Sequence, residues 1–250
     1  MIAKKVSDNQ VSEPKQEKTT ETKKENKKKQ TNLPKVKKID QSGDPYENTV
    51  IVSDLDSIYI LVNKYSGLPE DYEPKDLVEL DSEYVAPTCD HPQLRKVAAE
   101  ALVKMIKDAK KEGMYLLLNS GYRSYEEQEK IYQETEQKYG GAYAAEYVAT
   151  PGASEHQTGL GIDMTSQSVV DKQRLVFGDT TEYKWVVENC AKYGFIVRFT
   201  EGTDGITGIS HEPWHLRYVG KKVAKEIKDQ NWTLEEYCLY KNVIPKFKKD

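Results

Sequence analysis

The sequence predicts an α+β fold: a single domain with a mostly antiparallel sheet flanked by helices, preceded by a disordered Lys-rich segment. Three observations point there. Helix-period and strand-like runs are mixed along residues 43–250 without strict strand–helix–strand alternation, which argues against a doubly wound parallel sheet. Neither internal repeats nor sustained heptads are present. No run of 18 apolar residues occurs, the length that a membrane-spanning helix needs. The 250 residues suffice to bury a sizeable core without disulfide staples.

The chain divides near residue 42, into a basic spacer (1–42) and a folded body (43–250). Met1 to Asp40 holds 12 lysines against 6 acidic residues and has no aromatic side chain, whereas the remaining 210 residues carry 25 basic and 35 acidic ones. A segment so poor in apolar surface cannot offset its chain entropy, and disorder is expected. Lys23, Lys24, Lys27, Lys28 and Lys29 would suit either a tether near an anionic membrane face or a solvated spacer. The acidic body argues against a nucleic-acid partner, which requires a basic footprint. Polar residues follow Met1-Ile2-Ala3-Lys4-Lys5, with no apolar signal-peptide core. The protein is then either cytosolic or directed by a targeting segment upstream of this chain. Cys89, Cys190 and Cys238 show no C-x-x-C spacing, so they match neither a zinc knuckle nor a redox motif. One disulfide plus a free thiol, or three buried thiols, both fit.

The elements follow in order. Ser57 to Asn63 (SIYILVN) reads as a strand, and Gly67 to Tyr84 as a loop punctuated by Pro69 and Pro74. Leu94, Val97, Ala98, Ala101, Leu102, Met105, Ile106 and Ala109 recur at helical spacing between Pro92 and Gly113. Met114 to Asn119 (MYLLLN) reads as a buried strand. Ser124 to Tyr139 reads as a helix, with Ser124 as N-cap and Glu127 in the capping-box position. A short Ala-rich helix and a Pro151-Gly152 loop fill residues 140–155. Gly159 to Thr165 reads as a strand, and Thr181 to Tyr193 as a helix closed by Gly194. Phe195 to Thr200 and His215 to Val219 read as strands. Helices over Lys221 to Gln230 and Leu234 to Tyr240 end the chain.

Of the four histidines, His91, His156, His211 and His215, three sit beside carboxylates in Gly- or Pro-containing loops. In Ser154-Glu155-His156-Gln157-Thr158-Gly159-Leu160-Gly161-Ile162-Asp163, the two glycines let His156 fold back over the strand bearing Asp163. In His211-Glu212-Pro213-Trp214-His215 the string H-E-x-x-H matches the zincin signature, which needs both histidines one helical turn apart. Pro213 opposes a helix by ~3 kcal/mol, and the flanks look extended. The arrangement that uses both clusters has His156, Asp163 and His215 as three ligands of Zn²⁺, with one position open. Glu212, at a bend before the strand, is then free to act as general base. His211 is left as an outer contact or a structural residue. Arg123, after a buried strand and at a helix start, is suited to grip a carboxylate bidentately, or else to pair with Glu127.

The segments SGYRSYEEQ (Ser120 to Gln128), SEHQTGLGIDM (Ser154 to Met164) and HEPWHLRYVG (His211 to Gly220) together resemble the VanY-type zinc D-alanyl-D-alanine carboxypeptidases of the LAS metallopeptidase group. Leu61 to Val78 also looks like that family's N-terminal strand and loop, so the resemblance spans roughly Ile58 to Val219. It implies His156, Asp163 and His215 as zinc ligands and Glu212 as catalytic base. It implies Arg123, Gln128 and Ser154 as contacts to the substrate's terminal carboxylate. The implied partners are peptidoglycan stem peptides ending in D-Ala. The implied location is the extracellular face of the membrane or the cell wall, with a signal or anchor upstream of this chain. The neighbouring alternatives are an L,D-carboxypeptidase acting on the tetrapeptide stem, a peptidoglycan endopeptidase and a non-catalytic wall-binding module.

Overall fold

The structure is a computed structural model in which residues 50–243 are described; the spacer and its boundary at residue 42 lie outside the described residues. Among these, Val50–Ile51 (β1) pairs in parallel with Ser66–Gly67 (β2), and Leu77–Glu79 (β3) pairs antiparallel with Gln93–Arg95 (β4). Helix Lys96–Lys111 (α1) leads to strand Leu116–Ser120 (β5), then to helices Tyr125–Tyr139 (α2) and Gly141–Tyr147 (α3). Strand Gly161–Ser166 (β6) is followed by short helix Gln167–Val170 (α4) and by Thr181–Asn189 (α5). Strand Phe195–Phe199 (β7), helix Asp204–Thr207 (α6) and strand Glu212–Tyr218 (β8) come next, and Lys221–Gln230 (α7) and Leu234–Tyr240 (α8) follow.

The main sheet has the order β5-β6-β8-β7, and every neighbouring pair is antiparallel, as the α+β reading requires. The apolar stripe of α1 (Ala98, Leu102, Met105, Ile106, Ala109) packs into one core with Leu116 and Leu118 of β5 and Ile162 and Met164 of β6. Leu102 is fully buried, so its truncation to alanine would cost about 2–5 kcal/mol. A second cluster joins α7 and α8 to the sheet through Val223, Ala224, Ile227, Leu234 and Tyr237, packed with Ile196 and Val219. The capping box at Ser124 and Glu127 forms as the sequence predicts, and Thr233 and Glu236 make another at the start of α8.

Four expectations need correction. Ser57 to Asn63 is turn and loop rather than strand. Ile60 and Val62 are buried, but the carbonyls of Ile58 and Ile60 accept from the Arg217 guanidinium instead of from a neighbouring strand. The stretch over residues 67–84 is not all loop, because Leu77–Glu79 finds a partner in Gln93–Arg95. The helix expected through Tyr193 tightens to 3₁₀ geometry from Cys190. Glu212 is not at a bend: it opens β8, in register with Phe199 on β7. The cysteines are all free thiols, with Cys190 and Cys238 buried. Burial pushes those two thiols up to about 11 and about 12.

Candidate active site

The site is built where a tight turn folds back over the middle of the main sheet. Ser154 caps a 3₁₀ turn over Glu155–Thr158, its Oγ accepting from the His156 N–H, and Gly159 ends the turn at φ 63°. The chain then enters β6, where Gly161 is required by contact: a Cβ there would lie 2.9 Å from the Glu155 backbone carbon and Cβ. The missing side chain lets Glu155 lie over the sheet and turns His156 toward Asp163. On β6 and β8, Asp163 is the direct cross-strand partner of His215, and Gly161 that of Arg217. Strand alternation therefore sets His215 and Arg217 on one face, with Glu155 between them.

Asp163 Oδ1 lies 3.3 Å from His156 Nε2 and 3.0 Å from His215 Nδ1. The opposite ring nitrogens face other acceptors: His156 Nδ1 is 2.7 Å from the Gly121 carbonyl, and His215 Nε2 is 3.4 Å from Glu155 Oε2. Each ring thus has an acceptor for one N–H on its outer side and a nitrogen directed at Asp163. One donor atom from each of His156, Asp163 and His215 lies within 4.8 Å of the others, and two imidazoles with one carboxylate suit a Zn²⁺-sized cation. Among the described residues this is the group that could hold a metal ion.

The electrostatics fit a site that exchanges a proton for a metal. Burial alone would lower the His215 pKa, but Asp163 and Glu155 outweigh it and hold the ring up to about 9. Burial keeps His156 below its usual value against the pull of Asp163. Burial would raise Asp163, yet the two imidazoles hold it well below the usual carboxylate range. Burial pushes Glu212 up to about 7, with His215 partly opposing and Asp163 adding to the rise.

A cavity of about 220 Å³ opens on this cluster, lined also by Glu212, Arg123, Gln128 and Ser154. The seven side chains that the sequence and the family resemblance assign to the site therefore meet in one cavity. Arg123 does not pair with Glu127, which serves the helix cap. It donates from Nη1 to Gln128 Oε1 (2.9 Å) and from Nη2 to Ser120 Oγ (3.2 Å), and the Gln128 amide is itself fixed by the Ala149 carbonyl at 2.7 Å. Its Nε is buried without a hydrogen-bond partner, and no carboxylate bonds the guanidinium among the described residues. Burial lowers its pKa, while Asp163, Glu127 and Glu212 act from a distance to raise it. His211 is exposed and His91 lies beside Glu127, and neither lines the cavity. Glu212 to His215 of the H-E-x-x-H string lie on a strand and His211 just before it, so His211 and His215 are not a helical pair.

Sequence reasoning missed the ionic layer beneath the cluster: Glu155, Arg198, Arg217 and Glu235. Arg217 Nη1 (2.7 Å) and Arg198 Nε (2.9 Å) both donate to Glu155 Oε1. Burial would raise Glu155, but the two guanidiniums and His215 hold it well below the carboxylate range. One signal was available. In HLRYV an arginine alternates with His215 and so shares its inward face.

A family model described as "VanY: D-alanyl-D-alanine carboxypeptidase" matches residues 91–221. The chain is 48% identical over 183 residues to "Putative carboxypeptidase YodJ" of Bacillus subtilis (strain 168), covering 73% of this chain and 67% of that one. Among solved structures, the LdcB LD-carboxypeptidase is similar at 43% identity and a TM-score of 0.70, over 81% of this chain and 92% of that one. A variant of a vancomycin-resistance D,D-pentapeptidase VanY in complex with Zn(II) is similar at 33% identity and a TM-score of 0.61, over 72% and 97%.

Proposed function

Because this chain belongs to the VanY family of carboxypeptidases, we propose that it is a zinc-dependent carboxypeptidase removing the terminal D-alanine of peptidoglycan stem peptides as a D,D-carboxypeptidase. One observation carries the reading: a single cavity holds the His156–Asp163–His215 donor set, the Glu212 carboxylate and the half-buried Arg123 guanidinium, whose buried Nε has no partner among the described residues. His156, Asp163 and His215 would hold Zn²⁺. When bound, it supplies Lewis acidity, polarising a carbonyl oxygen and lowering the pKa of nearby water.

The protein's residues divide the remaining work. Arg123 binds the substrate's free C-terminal carboxylate, which places the last peptide bond at the donor set. Gln128 holds the guanidinium in plane, and Ser154 lines the same cavity and contacts the bound terminus. Glu212, the general base, takes a proton from the attacking water as the water oxygen bonds to the scissile carbonyl carbon. The carbon–nitrogen bond then breaks, and Glu212 returns the proton to the departing D-alanine amine. The Glu212 carboxyl lines the same cavity as the donor set, which places it for both transfers. Stem peptides of this kind would be met on the outer face of the membrane or in the cell wall, and we propose that the enzyme works there.

A second reading, an L,D-carboxypeptidase acting on the tetrapeptide stem, is favoured by the likeness to the LdcB LD-carboxypeptidase. Mass-spectrometric assay of D-alanine release from pentapeptide and tetrapeptide stems, with and without a chelator, separates the two. Chelator-sensitive loss from the pentapeptide supports the D,D reading, and loss from the tetrapeptide alone the L,D reading. Release from neither by zinc-loaded protein would sink both. Glu212→Gln is expected to lower turnover about 10²–10⁴-fold while leaving zinc bound.

A further inference from the structure

The C-terminal helix α8 lies beyond residues 91–221, the span that matches the family model, yet one of its side chains reaches the sheet beneath the donor set. Glu235 accepts from Arg198 Nη1 at 2.9 Å and, through its other oxygen, from Nη2. Arg198 Nε passes the connection to Glu155 Oε1, which also accepts from Arg217. Both guanidiniums occupy Oε1, so Oε2 is left for the His215 ring, whose Nε2 stands 3.4 Å away. All four charged side chains are buried, and two carboxylates balance two guanidiniums. Gly161 leaves the space in which Glu155 lies, so the placement is built into the sheet.

A histidine can offer a metal either ring nitrogen, and the hydrogen bond made by the other nitrogen decides which. With Glu155 accepting from Nε2–H, the lone pair of Nδ1 faces Asp163 Oδ1 at 3.0 Å. Oε2 can serve His215 only while Arg198 and Arg217 hold the carboxylate by Oε1, and Glu235 fixes Arg198 from the far side. We infer that Glu155 is a positioning residue for His215, and that Glu235, acting through Arg198, makes helix α8 a working part of the proposed metal centre. The inference rests on His215 being a metal ligand.

The test is Zn²⁺ affinity of the full chain, measured by competition with a chromogenic chelator. Loss of an outer partner of a metal ligand weakens binding about 10–100-fold, and that is expected of Glu155→Gln, with Glu235→Gln about 10-fold. Thr233→Ala removes the side-chain cap of the same helix without touching the ionic chain, and it should stay within about twofold of wild type. Wild-type affinity in folded Glu235→Gln, or an equal loss in Thr233→Ala, would overturn the inference. A second measurement needs no variant. In ¹⁵N-histidine spectra of the zinc-loaded wild type, His215 should carry an exchange-protected proton on Nε2 and bind metal through Nδ1. The reverse assignment overturns the inference, whereas a wild type that binds no Zn²⁺ overturns the proposed function beneath it.

Discussion

Arg217, fully buried, and Arg123, half-buried, present guanidiniums near the same donor set, and they are treated in opposite ways. Arg217 has a partner at every guanidinium nitrogen, and in that sense is saturated: it donates to Glu155 and to the carbonyls of Tyr218, Ile58 and Ile60. Among the described residues, Arg123 bonds only neutral side-chain oxygens, and its Nε has no partner. A buried cation is stable when its donors are met, so Arg217 belongs to the architecture. Leaving Arg123 short of a carboxylate sacrifices some stability. Under the proposed function it makes a place for one from outside, and the difference then separates a group that holds the site from a group that uses it.

The largest expected effect breaks the saturated side. Arg217→Ala strands part of the buried Glu155 charge and should cost about 3–5 kcal/mol in denaturant unfolding. Equal stability would show that the ionic layer is dispensable. On the unsaturated side, Arg123→Ala should leave unfolding within about 1 kcal/mol of wild type. It should lower kcat/KM about 100-fold or more, because the substrate carboxylate loses its planar partner. Arg123→Lys is expected to recover little, since a point charge lacks the fork.

Two smaller effects concern protons. In the metal-free protein the Glu212 pKa is raised by burial to about 7, above its ordinary 4.5. Its contribution to stability is therefore full below pH 4.5 and is lost as pH rises through about 7. Glu212→Gln should flatten that part of the Tm–pH curve; an unchanged slope would assign it to another group. His215, held up to about 9, carries a proton at pH 7 in the metal-free state. Zinc uptake at pH 7 should then release protons, read by calorimetry in buffers of differing ionisation enthalpy, and affinity should rise with pH toward about 9.

The division between the two arginines also marks how far the sequence could be read. Local signals were legible. The α1 stripe, the Ser124–Glu127 capping box and the glycines between His156 and Asp163 each act over a few residues, and each appears in the fold. The donor set needed one long-range step, from residue 163 to 215, and scarce histidines beside carboxylates made that step visible. The ionic layer needed three such steps at once, joining Glu155, Arg198, Arg217 and Glu235, and arginines and glutamates are too common for spacing to select them. Ser57 to Asn63 was misread for a related reason: its apolar side chains look like a strand, but its carbonyls are committed to Arg217 from 157–159 positions away.

The central claim is that Arg123 is left unsaturated in order to receive a carboxylate. The most direct test compares a stem pentapeptide ending in free D-alanine with the same peptide ending in D-alanine amide, using wild type and Arg123→Ala. Wild type should cleave the free acid about 100-fold or more faster than the amide, and the preference should collapse in the variant. Equal cleavage of acid and amide by wild type would contradict it, and would turn the site from a carboxypeptidase toward an endopeptidase.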